Sequence, residues 1–197
     1  MDEIITAGEH GGLLTKRAPL RSELKKELYR LAVASSDVTA AMRTAELIMA
    51  QVRDMSDPLY YPLWHATVIA YARPFTRNRP HGALPARWSR FTDKRLQDTH
   101  NSLIGDRDKL IAHSDADVRG VQIVPTGIYL GGFVPNATIG VSIFAGGYDL
   151  EYFEDVRELC FDLGRRLNDA VLELLEMLYG GMDLPLAMFD LRVNEGL

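Results

Sequence analysis

The sequence has a single cysteine, no long apolar run and no excess of positive charge. Cys160 is the only cysteine among 197 residues, which excludes an intrachain disulfide and a cysteine-rich metal cluster. No apolar run approaches the roughly 18 residues that a membrane-spanning helix needs. Residues 1–6 contain no basic region leading into an apolar core, as a secretory signal would. We therefore expect a cytoplasmic protein with no cofactor, no metal and no membrane partner.

The net charge of −5 argues against a surface that binds nucleic acid everywhere, but the charge is unevenly distributed. Residues 73–95 contain seven cations against Asp93 alone, a local balance of +6, whereas residues 149–197 have a balance of −8. Phe75, Trp88 and Phe91 are interleaved with these cations, as in grooves that bind single-stranded nucleic acid. The alternative is a solubilising surface loop whose aromatic side chains pack into the protein. On the first interpretation, the RNA-binding residues are Arg73, Arg77, Arg79, Arg87, Arg90 and Arg95.

The spacing of apolar residues predicts a mainly helical protein. Hydrophobic residues make up 47% and charged residues 25% of the chain, which is typical of one globular domain. Intervals of three, four and seven between apolar residues indicate amphipathic helices. The helices are predicted at about 21–55, 58–73, 92–113 and 149–179, and the polar residues 35–37 could interrupt the first. The long connection at 74–91 contains three prolines and is predicted to be irregular.

Residues 118–144 have a different pattern, which predicts a small β insert. Residues 121–124 and 128–130 are typical of two strands joined by a turn at Thr126-Gly127. Residues 139–144 could form a third strand. The predicted fold class is therefore all-α, a four-helix bundle with a β-hairpin or three-stranded insert before the last long helix. Residues 21–180 form the single domain, between a flexible arm at 1–20 and a tail at 181–197.

Residues 100–115 contain the strongest chemical signal in the chain. Arg107 is a permanent cation that can bind phosphate, and His113 can exchange protons near neutral pH. Six residues apart on an ideal helix, they diverge by ~120° and are separated by a rise of ~9 Å. The two residues therefore converge only if the helix loosens near His113 or a second subunit supplies the missing partner. His100 lies on the same helical face as Arg107 and is a candidate supporting residue.

Arg107, five intervening residues and His113 resemble the Arg-x4–6-His signature of HEPN domains. The following Ser114-Asp115 and the block at 71–75 resemble segments of the abortive-infection and defence-associated branch of that superfamily. The likeness extends over residues 21–180. It implies a helical bundle that pairs into a homodimer and places two motifs at one cleft.

The resemblance also implies an activity, which is metal-independent endoribonuclease cleavage. His113 would act as general base or acid, Arg107 would stabilise charge on the phosphoryl oxygens, and Asp108 would orient one of these residues. A protein of this kind serves as a toxin or phage-defence effector and has an antitoxin or another defence-system partner.

Two alternatives to the catalytic interpretation remain open. In the first, Arg107 pairs with Asp106 or with an acid on the last helix, and His113 merely ends its helix, where a cation is favourable. In the second, the chain is a non-catalytic dimeric helical module that binds RNA, nucleotide or a partner protein through the same cleft. A zinc site is not predicted, because the histidines lack the i, i+4 spacing of helical zinc ligands.

Overall fold

The computed structural model describes residues 21–76, 82–112, 119–125, 139–145, 147–184 and 186–191. This part of the chain is mainly helical, as the sequence predicts. Its helices are α1 (Arg21–Gln51), α2 (Tyr60–Ala72), α3 (Lys94–Ala112) and α4 (Tyr152–Tyr179), and its strands are β1 (Arg119–Pro125) and β2 (Ile139–Ala145). None of the helices in these ranges combines the length and apolar character needed to cross a membrane.

The two longest helices, α1 and α4, pack against each other in opposite directions. Buried residues recur on both at intervals of three and four, which gives each helix one continuous apolar face. The Arg21 guanidinium at the start of α1 donates a hydrogen bond to the carbonyl of Leu178 near the end of α4. Ser35 donates to the Asn168 side chain halfway along the seam. The helix α1 continues without a break through residues 35–37, so the interruption considered there does not occur.

The helices α2 and α3 complete the bundle, because α2 packs on α1 and α3 packs on both α2 and α4. Thr67 of α2 donates a hydrogen bond to Thr44 of α1 at 3.0 Å. Tyr71 of α2 is hydrogen-bonded to His100 of α3 at 2.7 Å. Each helix runs opposite to the helices on either side of it, so the end of α3 and the start of α4 lie at the same end of the bundle.

The helix boundaries follow the predicted ones within a few residues. Asp57 accepts a hydrogen bond from the backbone N–H of Leu59, and α2 begins at Tyr60 rather than at Pro58. The start predicted at 92 would make Thr92 the cap of α3, but Asp93 is the residue that accepts a hydrogen bond from a backbone N–H in the first turn. The helix α4 ends at Tyr179, as predicted, and the glycines at 180 and 181 follow it, as is common after a helix.

Leu96, Leu103 and Leu110 repeat every seven residues, which predicts a buried seam along α3, and this seam is confirmed where the side chains are described. Leu96 and Leu103 are buried, whereas the Leu110 side chain lies outside the described residues. The helix is described as far as Ala112. His113, the second residue of the predicted motif, therefore lies just beyond the described part of α3.

The connection between α2 and α3 is irregular in its described parts, as predicted. Two short 3-10 turns, Arg73–Phe75 and Ala86–Ser89, lie on either side of residues 77–81, which are outside the described residues. The backbone N–H of Leu84 donates to the carbonyl of Pro74 at 2.7 Å. This bond joins the two parts of the connection at the base of the loop.

The two described strands pair with each other. Arg119 lies opposite Ala145 and Pro125 lies opposite Ile139 in an antiparallel register. The predicted turn at 126–127 and the predicted strand at 128–130 lie outside the described residues, so the hairpin itself is not seen and remains a prediction. The arm at 1–20 and residues 192–197 of the tail also lie outside them.

A double hydrogen bond fixes the chain between β2 and α4. The Tyr60 hydroxyl donates to the carbonyl of Tyr148 at 2.9 Å and accepts from the backbone N–H of the same residue at 2.7 Å. A Cβ atom added to Gly147 would lie 2.5 Å from the Tyr60 hydroxyl oxygen. Position 147 must therefore be glycine if the backbone is to approach Tyr60 this closely.

Gly147→Ala should lower the free energy of unfolding by about 1–3 kcal/mol, because the added methyl group forces Tyr60 away from the backbone. Gly105→Ala is a matched control. Its Cβ would meet nothing within 4 Å, and alanine in a helix interior should raise stability by about 0.5–1 kcal/mol. Urea denaturation of both variants measures the difference. Equal stability of Gly147→Ala and the wild type would contradict the close approach.

Candidate functional site

Arg107 and Asp108 form an ion pair near the end of α3. The Arg107 Nη1 atom lies 2.8 Å from the Asp108 Oδ1 atom. The side chain of Arg107 is 35% exposed and that of Asp108 is 66% exposed, so solvent reaches both groups. Arg107 thus pairs with Asp108 rather than with Asp106. Because His113 lies outside the described residues, its convergence with Arg107 stays a prediction.

Asp106 is buried one residue before Arg107, and no sequence motif marks it as a functional residue. Only 8% of Asp106 is exposed, and its Oδ2 atom makes no hydrogen bond within the described part of the chain. Burial raises the pKa of the Asp106 carboxyl, while hydrogen bonding to Tyr148 and the positive charge of Lys109 lower it. The sequence spacing could have predicted its burial, because Asp106 follows Leu103 by three residues and so lies on the buried face of α3.

Tyr148 and Tyr152, close to the start of α4, interact electrostatically with Asp106. The rings of Tyr148 and Tyr152 are stacked at 3.9 Å, and the Tyr152 hydroxyl makes no hydrogen bond within the described residues. Burial, followed by the nearby charge of Asp106, raises the pKa of Tyr148 to about 12. At neutral pH the Tyr148 hydroxyl is therefore protonated.

His100, the predicted supporting residue, is a buried structural histidine. Its Nδ1 atom is hydrogen-bonded to the Tyr71 hydroxyl at 2.7 Å, and the rings of Phe75 and Phe91 lie 4.9 and 5.5 Å from its own. Burial lowers the pKa of His100 to about 4, so the ring is neutral at neutral pH. It lies seven residues, or about 10 Å along the helix, before Arg107. His100 therefore supports the packing of α2 on α3.

Three arginines of the basic segment, residues 73–95, are ion-paired with acids of the bundle. Arg73 pairs with Asp37 and Arg87 with Glu27, both on α1. Arg95 pairs with Asp155 and Glu158 on α4 and with the neighbouring Asp93. These ion pairs match the alternative interpretation, in which the segment is a surface loop fastened to the protein.

The remaining arginines of the basic segment divide into two groups. Arg90 is exposed and forms no ion pair with any described residue. Arg77 and Arg79 lie outside the described residues. Of the six predicted RNA-binding arginines, Arg90 is thus the described one whose charge is available to a phosphate without competition from a carboxylate.

The aromatic residues of the basic segment pack against the bundle. Trp88 is 6% exposed, and the guanidinium groups of Arg87 and Arg166 lie 5.5 and 5.6 Å from its ring centre. Arg166 also lies 5.3 Å from the Phe91 ring centre and donates to the carbonyls of two loop residues. Because Trp88 is buried, it cannot stack on a base without moving, and the basic segment offers charge rather than a stacking surface.

The basic segment and the Arg107–Asp108 pair lie at opposite ends of α3. Arg95 and Arg107 are separated by twelve residues, which corresponds to a rise of about 18 Å. Successive phosphates of an extended strand would have to follow α3 for several nucleotides to contact both. An RNA strand that is held by the basic segment and cleaved at Arg107 of the same copy must therefore extend along α3, unless a second copy brings the two regions together.

The described ranges contain neither a group of metal ligands nor an exposed, reactive thiol. No three histidine, cysteine, aspartate or glutamate residues are grouped there as metal ligands. Cys160 is 1% exposed, and burial raises the pKa of its thiol. His65 lies against Tyr61, with ring centres 4.1 Å apart. Cys160 and His65 thus belong to the packing of the bundle.

No family model matches the chain. No curated protein and no solved structure matches it either. The resemblance to HEPN domains therefore rests on the motif residues themselves, and the geometry around Arg107 has to be interpreted from its own chemistry.

The buried His100 should make stability depend on pH in a defined range. Its pKa is about 4 in the folded protein and about 6.5 in the unfolded chain, so the unfolded chain binds more protons between these values. The free energy of unfolding should therefore fall as the pH falls from 6.5 to 4, by on the order of 3 kcal/mol. Denaturant titrations at several pH values measure this loss.

His100→Gln is the control for this prediction, because glutamine keeps a hydrogen-bonding group near Tyr71 but does not titrate. The variant should lack the wild-type loss of stability in that pH range, although other acids contribute equally to both proteins. Parallel pH profiles for the variant and the wild type would show that His100 is not the group responsible.

Proposed function

We propose that the chain is a HEPN-like, homodimeric and metal-independent endoribonuclease that acts as a toxin or phage-defence effector. The observation that carries the proposal is the solvent-accessible Arg107–Asp108 pair near the end of α3 in a helical bundle, six residues before His113. Arg107 pairs with Asp108 through one terminal nitrogen and remains partly exposed, which suits a phosphate because the guanidinium offers several N–H donors in a fixed plane.

The chemistry requires only proton transfer and charge stabilisation. The 2′-hydroxyl of RNA attacks the adjacent phosphorus, the bond to the 5′ oxygen breaks, and a 2′,3′-cyclic phosphate remains. His113 takes the proton of the attacking hydroxyl, and His113 of the second copy gives a proton to the leaving oxygen. Arg107 binds the phosphoryl oxygens as their charge grows, and Asp108 fixes the guanidinium plane.

The second candidate function is a non-catalytic module that binds RNA, nucleotide or a partner protein. The ion pairs of Arg73, Arg87 and Arg95 with acids of α1 and α4 favour it. They reduce the positive surface that the enzyme would use to hold RNA. In both functions a cognate antitoxin or another defence-system protein is the expected protein partner.

Single-stranded RNA should be cleaved by the wild type in the presence of a chelator. His113→Ala should abolish cleavage with the fold intact, because it removes the proton-transfer group. Arg107→Lys should reduce cleavage by about 100-fold or more, since an ammonium group cannot reproduce the guanidinium fork. Gel analysis of a labelled RNA pool measures the cuts, and circular dichroism verifies the fold.

Arg165→Lys is the matched control for Arg107→Lys. Arg165 is an exposed arginine of α4 that pairs with Asp162 and Asp169, far from the motif. It should leave cleavage unchanged. If the wild type cuts no RNA but binds it with affinity that falls as salt rises, the binding module replaces the enzyme. If it neither cuts nor binds RNA, both RNA functions are wrong.

Arg90→Ala should weaken RNA binding more than the loss of an ion-paired arginine elsewhere. Its charge is not neutralised by a described carboxylate, so a phosphate contact there releases counterions. The slope of log affinity against log salt should become shallower by about 1. Arg165→Ala should leave the slope unchanged, because Arg165 lies outside the basic segment. Fluorescence anisotropy at several salt concentrations measures both, and an unchanged slope for Arg90→Ala would rule out this contact.

A further inference from the structure

One side of α4 has large apolar side chains that are not buried in the bundle. Phe161 and Leu172 are each 64% exposed there. They belong to a row of residues that recurs along α4 at intervals of three and four, and such residues share one face of a helix. The row, which we call the outer face of α4, consists of Arg157, Phe161, Gly164, Asn168, Leu172 and Glu176. It extends over a rise of about 28 Å.

The outer face of α4 borders a groove that runs between α4 and α1. Phe161 and Gly164 line this groove on one side, and Thr39 and Met42 of α1 line it on the other. A Cβ atom added to Gly164 would meet its nearest neighbour, a methyl carbon of Val38, only at 3.9 Å. The space beside Gly164 can therefore receive a side chain from another molecule. A protruding ring and a depression thus lie on the same face, as a surface that packs against a copy of itself requires.

The two ends of the outer face have opposite charges that are not neutralised within the described part of the chain. Arg157 and Glu176 are both exposed, and neither forms an ion pair with another described residue. Arg165, which lies near the middle of the row, differs because it pairs with Asp162 and Asp169 of its own helix. The unneutralised charges of this face are therefore at its ends, one of each sign.

A two-fold axis that crosses α4 between residues 166 and 167 makes this face complementary to itself. Phe161 and Leu172 are equally distant from that point along the helix, and so are Arg157 and Glu176. In an antiparallel pair, Phe161 of one copy therefore lies opposite the partner's Leu172, and Arg157 lies opposite the partner's Glu176. A parallel pair would instead bring each of these charges against its own copy, which is unfavourable.

We propose that the outer face of α4, together with the adjoining groove of α1, binds a second copy of this chain in the antiparallel orientation. The contact is separate from the cleft expected at the Arg107 motif. Because the end of α3 lies beside the start of α4, antiparallel pairing places the two Arg107–Asp108 pairs at opposite ends of the assembly. The inference therefore does not rest on the proposed nuclease function.

A charge-swap cycle in the full chain tests the register of the two copies. Arg157→Glu brings two acids together at each end of the interface and Glu176→Arg brings two cations together, so each should weaken association by about 10-fold or more. The double variant restores opposite charges and should associate within about threefold of the wild type. Sedimentation equilibrium measures the dissociation constants, and circular dichroism verifies the fold.

The apolar part of the interface is tested by Leu172→Gln. This variant should weaken association by about 10-fold or more, because each copy loses an apolar side chain that leaves water on association. Met177→Gln is the matched control, since Met177 is 61% exposed on the same helix but projects about 150° from the centre of the outer face. Glu173→Arg is the control for the charges, because Glu173 is exposed and projects about 110° from that centre. Both controls should leave association unchanged.

Recovery of association in the double variant supports the proposed contact, because a merely destabilising change would not be rescued by a second one at the opposite end of the face. A wild type that stays monomeric at high micromolar concentration overturns the inference. The inference is also overturned if the wild type associates but Arg157→Glu and Leu172→Gln leave its dissociation constant unchanged, since another surface then joins the copies. None of these outcomes depends on cleavage of RNA.

Discussion

The antiparallel packing of α1 on α4 is the constraint on which the rest of the bundle depends. The buried face of α1 is rich in small residues such as Ala34, Ala41 and Ala45, whereas α4 contributes larger ones such as Phe153 and Leu163. Small residues on one helix allow the larger side chains of the other to fill the space between them. The two remaining helices then pack along this frame.

The packing of the other helices on α1 also explains why the polar residues in its middle do not interrupt it. Ser35 donates a hydrogen bond to Asn168 across the seam, and Asp37 forms an ion pair with Arg73 at the end of α2. Serine and aspartate weaken an isolated helix because their side chains compete for backbone hydrogen bonds. Here they bind partners on other helices instead, and tertiary contacts preserve a helix of 31 residues.

Sequence periodicity predicted the helices well because burial imposes one apolar face on each of them. Their starts were less predictable, since several neighbouring polar residues could cap each one, as Thr92 and Asp93 illustrate. Arg107 is partly exposed and His100 is buried, a difference that the sequence could not predict because sharing a helical face says nothing about depth. Asp106 was missed because a carboxyl on the apolar face contradicts the pattern by which that face is recognised.

The pairing of the basic segment's arginines could not be predicted from the sequence, because their acidic partners are distant along the chain. Arg87 pairs with an acid 60 positions away and Arg95 with acids 60 and 63 positions away. Local composition predicted an excess of charge but not its neutralisation by α1 and α4. Exposed ion pairs of this kind contribute little to stability, so they orient the loop more than they stabilise the bundle.

Because Cys160 is buried, the rate at which its thiol is chemically modified reports how often the folded chain opens. Alkylating reagents react with the thiolate, and burial both shields the sulfur and raises the pKa of the thiol. Because Cys160 is 1% exposed and belongs to the hydrophobic core, a reagent in solution reacts with it when the packing around it opens. The rate at which this thiol is modified therefore records how often that part of the core opens, without an introduced probe.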